Sequence, residues 1–462
     1  MKIALISPKH SLNGVNIGLG YLNRQLCDCG HKTLLLDFGV TNNISVSDAI
    51  SKFRPDYVLV SVSEFTLKEA NTISREVRHV SKCIIVAGGP LLNMDYHNFL
   101  RLDSFDFGIV GDGRNISAML KDLTLPGHVY VKGKLVFTGK AEGESIDSLA
   151  APLYNEEIYG TFRSRKFSYI MMTSRGCPYH CIFCPNPLLS GKKWIARSPE
   201  NVIEEIRSLH FNHGIDTFNI MDDNFSLDKT RAKVLLKKVL QLPFKVRYIL
   251  GNGLRADTID DELAELLKVT GCLRVPIGVE NADPKIHKLV EKGVSLKIVE
   301  KAIITLKKHR LNTEAFMIIG LINEDKSSLL RSLEFIKNMN ITARWYIAMP
   351  MPGTVFYEWV KANGKLLPFK DNAGTWSGDP PVLFETDKLG KKELLHYFYY
   401  LNSESGNYFF LSTGSSMMMR LVTALKNLAV HNPARMPSFF VWCILAGIYG
   451  KDFVFNQLEQ AS

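Results

Sequence analysis

Arg175–Gly–Cys–Pro–Tyr–His–Cys–Ile–Phe–Cys–Pro–Asn–Pro187 sets three cysteines, Cys177, Cys181 and Cys184, in a C-x3-C-x2-C spacing on one short loop. Gly176, Pro178 and Pro185 flank the thiols, so they do not read as small buried hydrophobes of a core. Three thiolates so close can wrap a compact inorganic centre, and iron–sulfur clusters take such ligands. A [4Fe–4S] cluster needs four ligands, and a loop of three leaves one iron open to a ligand that is not protein. Structural zinc is the competing reading, because Cys3His is a common zinc set and His180 lies inside the loop. Zinc sites usually pair two separated halves, however, and no second half follows.

Outward from this loop, strand and helix patterns alternate. Strands are predicted at Ser168–Thr173, Thr217–Met221, Val246–Gly251, Arg274–Val279, Glu314–Ile319 and Ala343–Ala348. Helical periodicity separates them, at Pro199–Asn212, Lys229–Leu240, Asp261–Thr270, Ser295–His309 and Ser327–Asn338. Six such units fit a partial (β/α)6 barrel, whose chemistry sits at the carboxyl ends of the strands. Polar residues collect there: Asp222, Asp223 and Asn224, then Asn252 and Arg255, Glu280 and Asn281, and Gly320 with Glu324. Asp222 and Asp223 could equally cap the helix that follows.

Residues 1–140 alternate in the same way. Ile3–Ser7, Thr33–Asp37, Tyr57–Ser61 and Cys83–Ala87 read as strands, with a helix such as Leu67–Val80 between. The pattern predicts a doubly wound parallel sheet that binds ligands at its strand ends. Those ends carry Ser7–Pro8, Ser61–Val–Ser63, Gly88–Gly89–Pro90 and Gly111–Asp–Gly113, small residues that let a bulky ligand approach the backbone. Each glycine taken singly could be a plain turn. Residues 141–165 read as a linker with a basic Arg163–Ser–Arg–Lys166 end, 166–364 as the barrel, and 365–462 as a mostly helical tail. In that tail Phe384–Glu–Thr386 and a helical Lys391–Tyr400 stand out, and Ser438–Gly447 is dense in apolar residues.

Thr173–Ser–Arg–Gly–Cys–Pro–Tyr–His–Cys–Ile–Phe–Cys184 resembles the signature of radical S-adenosylmethionine enzymes. The resemblance implies a [4Fe–4S] cluster on Cys177, Cys181 and Cys184, with S-adenosylmethionine chelating the open iron and Phe183 against its adenine. It implies that Met221–Asp–Asp–Asn224 lies by the methionine amine and that Glu280 holds the acidic position of the fourth strand. Phe316–Met–Ile–Ile–Gly–Leu–Ile–Asn–Glu324 resembles the fifth-strand motif near the adenine, with Ile322–Asn323 where Pro–Gly is usual; Pro350–Met–Pro–Gly–Thr354 matches the closing turn. The cofactor's ammonium, carboxylate and ribose hydroxyls need charged and polar partners of the kind gathered at these strand ends, Asn252 and Arg255 included.

The amino-terminal turns together resemble the cobalamin-binding domain that precedes many radical S-adenosylmethionine cores. Gly18–Leu–Gly–Tyr–Leu22, Gly30–His31, the Ser61 and Ser63 turn, Gly88–Gly89 and the Gly111 and Gly113 turn carry the likeness. No D-x-H-x-x-G is present, so cobalamin is expected with its base displaced and no histidine ligand. The last turn reads Gly111–Asp–Gly–Arg114, where the family more often has a second acidic residue.

Composition sets the remaining bounds. A chain of 462 residues with 46% hydrophobic and 22% charged residues is globular and long enough for two or three domains. Eight cysteines with three clustered argue for a reducing compartment and against a disulfide framework. Met1–Lys–Ile–Ala–Leu–Ile6 runs straight into a strand, and no run reaches the ~18 apolar residues of a membrane span, so a cytoplasmic location is expected. A net charge of +10 favours anionic partners, but its basic residues are dispersed along the chain. A small-molecule substrate and a one-electron reductant such as flavodoxin or ferredoxin are the expected partners. Nucleic acid is not expected, and peripheral membrane contact is not favoured.

The family likeness implies a cobalamin-dependent enzyme that methylates an unactivated carbon through a 5′-deoxyadenosyl radical and methylcobalamin. A cyclase or rearrangement enzyme on the same machinery is the alternative. A methylthiotransferase fits less well, since Cys27, Cys29 and Cys83 do not resemble its second cluster set. A non-catalytic cluster or cobalamin sensor would need an output module, and none stands out in the sequence.

Overall fold

Short β-branched runs followed by amphipathic helices build the first sheet. In the computed structural model, which describes residues 1–9, 15–40, 44–141, 145–147, 149–164, 168–368, 380–407, 428, 430, 432 and 434, this sheet has seven strands. They are β1 (Lys2–Ser7), β2 (Lys32–Asp37), β3 (Tyr57–Ser61), β4 (Ile84–Gly88), β5 (Phe107–Ile109), β6 (His128–Lys132) and β7 (Lys134–Phe137). Their order is β2-β1-β3-β4-β5-β6-β7. The strands β1 to β5 are parallel, as the sequence pattern predicts. The last two are antiparallel, a hairpin turned at Gly133, whose φ of +71° suits glycine; this the βα alternation did not foreshadow.

The chain leaves β1 for β2 on one side and for β3 on the other, which makes a switch point between β1 and β3. Asn16 sits there. Its side-chain oxygen caps the helix Ile17–Asp28 by accepting from Leu19 N, while its amide donates to Ser61 Oγ (3.0 Å) and Ser7 Oγ (3.3 Å).

The second sheet is an open arc. After β8 (Tyr169–Met171) come a two-residue pair, β9 (Ser174–Arg175) and β10 (Ile195–Ala196), then β11 (Thr217–Ile220), β12 (Arg247–Leu250), β13 (Cys272–Glu280), β14 (Thr313–Ile319) and β15 (Thr342–Ile347). Six of them pair in the order β15-β14-β13-β12-β11-β8, all parallel, and the two outer strands do not meet. The helices between them start at Ser198, Asp228, Asp260, Ser295 and Asp325, each side chain accepting from an orphan N–H of the first turn. Predicted and observed elements agree to within a few residues at their ends.

The two faces of this arc differ. Tyr248, Leu250, Val275, Ile277, Met317 and Trp345 are buried under the helices. On the opposite, concave face Ile170, Asn219, Ile249, Phe316, Ile318 and Tyr346 are all partly exposed. A closed barrel fills its interior with side chains; this one keeps its inner face within reach of solvent.

The free edge of β15 is covered. The Asn402 amide, on the helix Lys391–Glu404, accepts from Trp345 N (3.1 Å) and donates to Trp345 O (3.0 Å), as a neighbouring strand would. β16 (Gly364–Leu366) and β17 (Phe384–Thr386) form a small antiparallel ribbon ahead of that helix. Residues 141–165, expected as a linker, contain the helix Glu156–Arg163, because Ile158, Tyr159 and Phe162 pack with Tyr154 and Tyr169 between the sheets. Arg165, Lys166 and the Ser438–Gly447 segment lie outside the described residues, as does everything beyond Asn407 except four positions. No helix of the described residues is long and apolar enough to cross a membrane.

Candidate active site

The cysteine loop follows β9 at the carboxyl edge of the arc. Gly176 begins it with φ +88°, and a Cβ there would meet Lys193 O at 2.2 Å, so only glycine fits. Two carboxylates hold the loop's approach. Asp222 is buried and accepts from Thr173 N (2.6 Å), Thr173 Oγ1 (2.5 Å) and Ser174 Oγ (2.7 Å). Burial pushes its carboxyl upward, and these hydrogen bonds oppose the shift. Asp223 accepts from Gly176 N (2.7 Å) and Asn186 Nδ2 (2.8 Å). Neither caps the next helix, which Asp228 caps.

Further along, Ile182 N donates to Val290 O and Ile182 O accepts from Phe356 N, which pins the loop between the end of the helix Pro284–Leu289 and the start of the helix Val355–Asn363. Cys177, Cys181 and Cys184 are free thiols, each partly exposed. Burial pushes the Cys181 thiol up and the Cys184 thiol to about 12, so both stay protonated until a cation compensates them. His180 points into solvent, and among the described residues no three His, Cys, Asp or Glu side chains form a ready metal cage. Clustered thiols that burial leaves uncompensated suit a polynuclear cationic centre, and in that sense the donor set fits an iron–sulfur cluster.

Around the loop the strand ends are locked by charge. Glu280, at the end of β13 with φ +65°, meets Lys292 Nζ at 2.6 Å, and the same ammonium donates to Gly278 O (2.6 Å). The Arg255 guanidinium lies 3.4 Å from the ring centre of Tyr179, inside the cysteine loop, and donates to Asp257 and to Lys292 O. Asn252 donates to Met221 O (3.1 Å) and Asp222 O (3.2 Å). Phe183 packs beside Ile318 on a small apolar patch of Ile286, Val290 and Leu321. Glu324 is buried and accepts from Gly320 N, Leu321 N (3.2 Å) and Asn281 Nδ2; burial raises its carboxyl to about 8. Gly320, φ +89°, leaves room for Phe384, whose ring a Cβ would meet at 2.7 Å.

The amino-terminal edge is built differently. No atom of the described residues lies within 4 Å of where a Gly88 Cβ would stand, and Gly89 has φ +102° with Val62 O at 3.0 Å from its own Cβ position. Ser61 Oγ is held by Asn16, and Ser63 by Thr66. Gly111 and Gly113 are explained by the protein's own packing: a Cβ would meet Ala141 O at 2.3 Å in the first case and Leu22 at 2.8 Å in the second. A Gly88 ridge that leaves the approach to the backbone clear suits a large flat ligand, so the edge fits cobalamin.

The two edges touch. Asp112, between those glycines, accepts from Arg114 Nε (2.9 Å) and from Arg175 Nη1 (3.0 Å), the residue that opens the cysteine loop; Lys140 Nζ donates to Leu188 O (2.8 Å) nearby. Sequence reasoning assigns no role to Lys292, Arg175, Asp112 or Asn16. The signals it could have used are Arg175 next to the first motif glycine and Asp112 between two glycines.

An arc of six parallel strands with a three-cysteine loop on its carboxyl edge defines a radical-generating core. Comparison with known families agrees: the Radical SAM superfamily matches residues 171–336 and the B12 binding domain matches residues 9–121. Residues 171–336 thus form a radical S-adenosylmethionine domain and residues 9–121 a cobalamin-binding one, the pairing that marks the cobalamin-dependent branch of that superfamily. The cofactors of that branch are a [4Fe–4S] cluster, S-adenosylmethionine and cobalamin. An uncharacterized methyltransferase of Pyrococcus horikoshii is 28% identical over 393 residues, 79% of this chain and 84% of that protein. The anaerobic magnesium-protoporphyrin IX monomethyl ester cyclase of Synechocystis is 25% identical and covers 67% of each chain. Among solved structures, the radical S-adenosylmethionine methyltransferase TsrM of Kitasatospora setae, with tryptophan and a cofactor analogue bound, superposes with a TM-score of 0.71 at 16% identity. It covers 90% of this chain and 91% of that one, and it speaks for the fold.

Proposed function

We propose that this protein is a cobalamin-dependent radical methyltransferase acting on an sp3 carbon of a small molecule. The observation that carries the reading is the meeting, in one chain, of a three-cysteine loop and an open glycine edge through the Asp112–Arg175 pair. When bound, the cofactors supply hydrogen-abstracting chemistry and a transferable methyl group, the hard steps that protein side chains do not perform.

What the chain supplies is placement. Cys177, Cys181 and Cys184 would hold the cluster, and Asp222 and Asp223 fix the backbone from which they hang. Glu280 with Lys292 and Arg255 with Tyr179 present a carboxylate and cations beside the loop, suited to the zwitterionic end of S-adenosylmethionine. Phe183, Asn252, Gly320 and Glu324 would border the rest of it. The buried Glu324, raised to about 8, holds a proton at neutral pH and keeps the β14 turn closed through its backbone partners. Residues 1–140, with Ser61, Ser63, Gly88 and Gly89 at the strand ends, would carry cobalamin, and 166–364 the radical core. No cobalt-ligating histidine motif is present, so a base-displaced form is expected. A reductant of the flavodoxin or ferredoxin class completes the system.

Methyl transfer to an unactivated carbon makes one 5′-deoxyadenosine and one S-adenosylhomocysteine per product, with substrate deuterium carried into the deoxyadenosine. Anaerobic turnover with candidate substrates, read by mass spectrometry for one added methylene, tests this. Deoxyadenosine alone would favour the cyclase or rearrangement reading, which the Synechocystis relative supports. S-adenosylhomocysteine alone would leave a polar methyltransferase.

A further inference from the structure

The concave face of the arc ends, at its amino-terminal side, in a buried charge cluster to which the proposed chemistry gives no role. Glu314 of β14 lies between Arg274 of β13 and Arg344 of β15: Arg344 Nε donates to Oε1 at 2.7 Å, and Arg274 Nη1 stands 3.1 Å from Oε2. Arg274 and Glu314 are only 8% and 5% exposed. Yet the Arg274 contact lacks hydrogen-bond alignment: among the described residues, the buried Arg274 Nε and Glu314 Oε2 have no hydrogen-bond partner. Among the described residues two guanidiniums, Arg274 buried and Arg344 partly exposed, face one carboxylate, an excess of positive charge at a largely desolvated site that an anion would balance. Burial raises the Glu314 carboxyl to about 7, which weakens that balance further near neutrality.

Above the cluster the same face turns apolar. Phe316 meets Tyr346 edge-on with ring centres 5.9 Å apart, and Ile318 packs on the same Ile286, Val290 and Leu321 patch that Phe183 of the cysteine loop packs on. Glu314 and Ile318 are four residues apart on one strand, so the wall rises about 13 Å from charge to loop. Phe316, Ile318, Tyr346 and Arg344 are partly exposed, in contrast to the buried residues that alternate with them.

We propose that this face is the substrate channel, and that Arg274 and Arg344 grip an oxyanion, a carboxylate or a phosphate, at the far end of an elongated apolar or aromatic substrate. The inference rests on the proposed function and names its substrate class: an amphiphilic acid whose reacting carbon lies about 13 Å from its anionic group. Guanidinium forks suit such oxyanions, and the aromatic pair suits the body. Glu314 is then a competitor that neutralises the arginines until substrate arrives.

The test is calorimetric binding to the anaerobically reconstituted full chain, with 4-phenylbutyrate, its neutral amide, undecanoate, decyl phosphate and inorganic phosphate as probes. The acid should bind at least about tenfold more tightly than the amide, as expected for charge-assisted hydrogen bonds. R344M should weaken acid binding about tenfold or more and leave the amide unchanged. E314Q, which removes the competing carboxylate, should tighten acid binding. Tighter binding of decyl phosphate than of undecanoate, which carries the same alkyl tail, would assign the anion as a phosphate, and the reverse as a carboxylate. Equal binding of acid and amide, acid binding unaffected by R344M, binding of inorganic phosphate alone, or weaker acid binding in E314Q would each overturn the proposal. R344M is the principal variant because its side chain is 23% exposed; R274M adds a second reading if it folds. Binding is read without turnover, so a protein that binds the acid and does not methylate refutes the reaction and keeps the site.

Discussion

The two parallel sheets solve opposite problems at their carboxyl edges. On the first, Gly88 and Gly89 clear the backbone, and the polar groups nearby, Ser61 and Ser63, are tied to Asn16 and Thr66. On the second, Asp222, Asp223, Glu280 and Glu324 crowd the strand ends, each held by named donors. A large rigid ligand is accommodated by taking side chains away. A small charged one is met by adding them and fixing them in place. Adding bulk should therefore damage the first edge, and removing groups should damage the second.

The largest effect is expected on the second edge. C177A, C181A and C184A should each lose most of the about four irons a reconstituted cluster holds and abolish S-adenosylmethionine cleavage, whereas C27A should retain both. Iron analysis with a cleavage assay decides it; zinc in place of iron would sink the cluster. Next comes G88L on the first edge. Since no atom of the described residues lies within 4 Å of that glycine's missing Cβ, the fold should survive while retention of cobalamin on a desalting column is lost. G89L makes a useful contrast, because φ +102° strains any side chain there and its thermal midpoint should fall as well.

Away from both edges, N402A leaves the Trp345 N–H and C=O buried without partners. It should lower unfolding free energy by about 1–3 kcal/mol in a denaturant titration while leaving cluster and cobalamin content alone.

A last effect is a pH slope. The folded Glu324 titrates at about 8 against an ordinary 4.5, so between those values the folded chain holds a proton that the unfolded chain has released. Stability from this group is complete below 4.5 and declines as pH rises toward 8. E324Q should flatten that slope in thermal melts; an unchanged slope would place its origin elsewhere.

Much of this is readable in the chain. Short apolar runs, helix caps such as Ser198 and Asp260, and the C-x3-C-x2-C spacing are local, and local patterns survive in one dimension. What the sequence hides is long-range pairing. Lys292 lies 12 residues from Glu280, and Arg175 lies 63 from Asp112; no spacing rule marks either pair. Gly111 and Gly113 show the converse, since their neighbours Ala141 and Leu22 explain them once the fold is known. The helix Glu156–Arg163 reads as linker in one dimension because its start lies among the Pro152 and Asn155 turn signals, while its partners Tyr154 and Tyr169 are apparent only in space.

Asp112 holds one arginine from its own turn and one from the cysteine loop, so the order of those two loops is not independent. Linkage between two sites is symmetric: whatever factor one occupant adds to the retention of the other is returned in equal measure. Cobalamin seated on the first edge should then raise the affinity of the loop for the cluster, and an intact cluster should tighten cobalamin by the same factor. In D112N the two affinities would become separate quantities, each measurable without reference to the other.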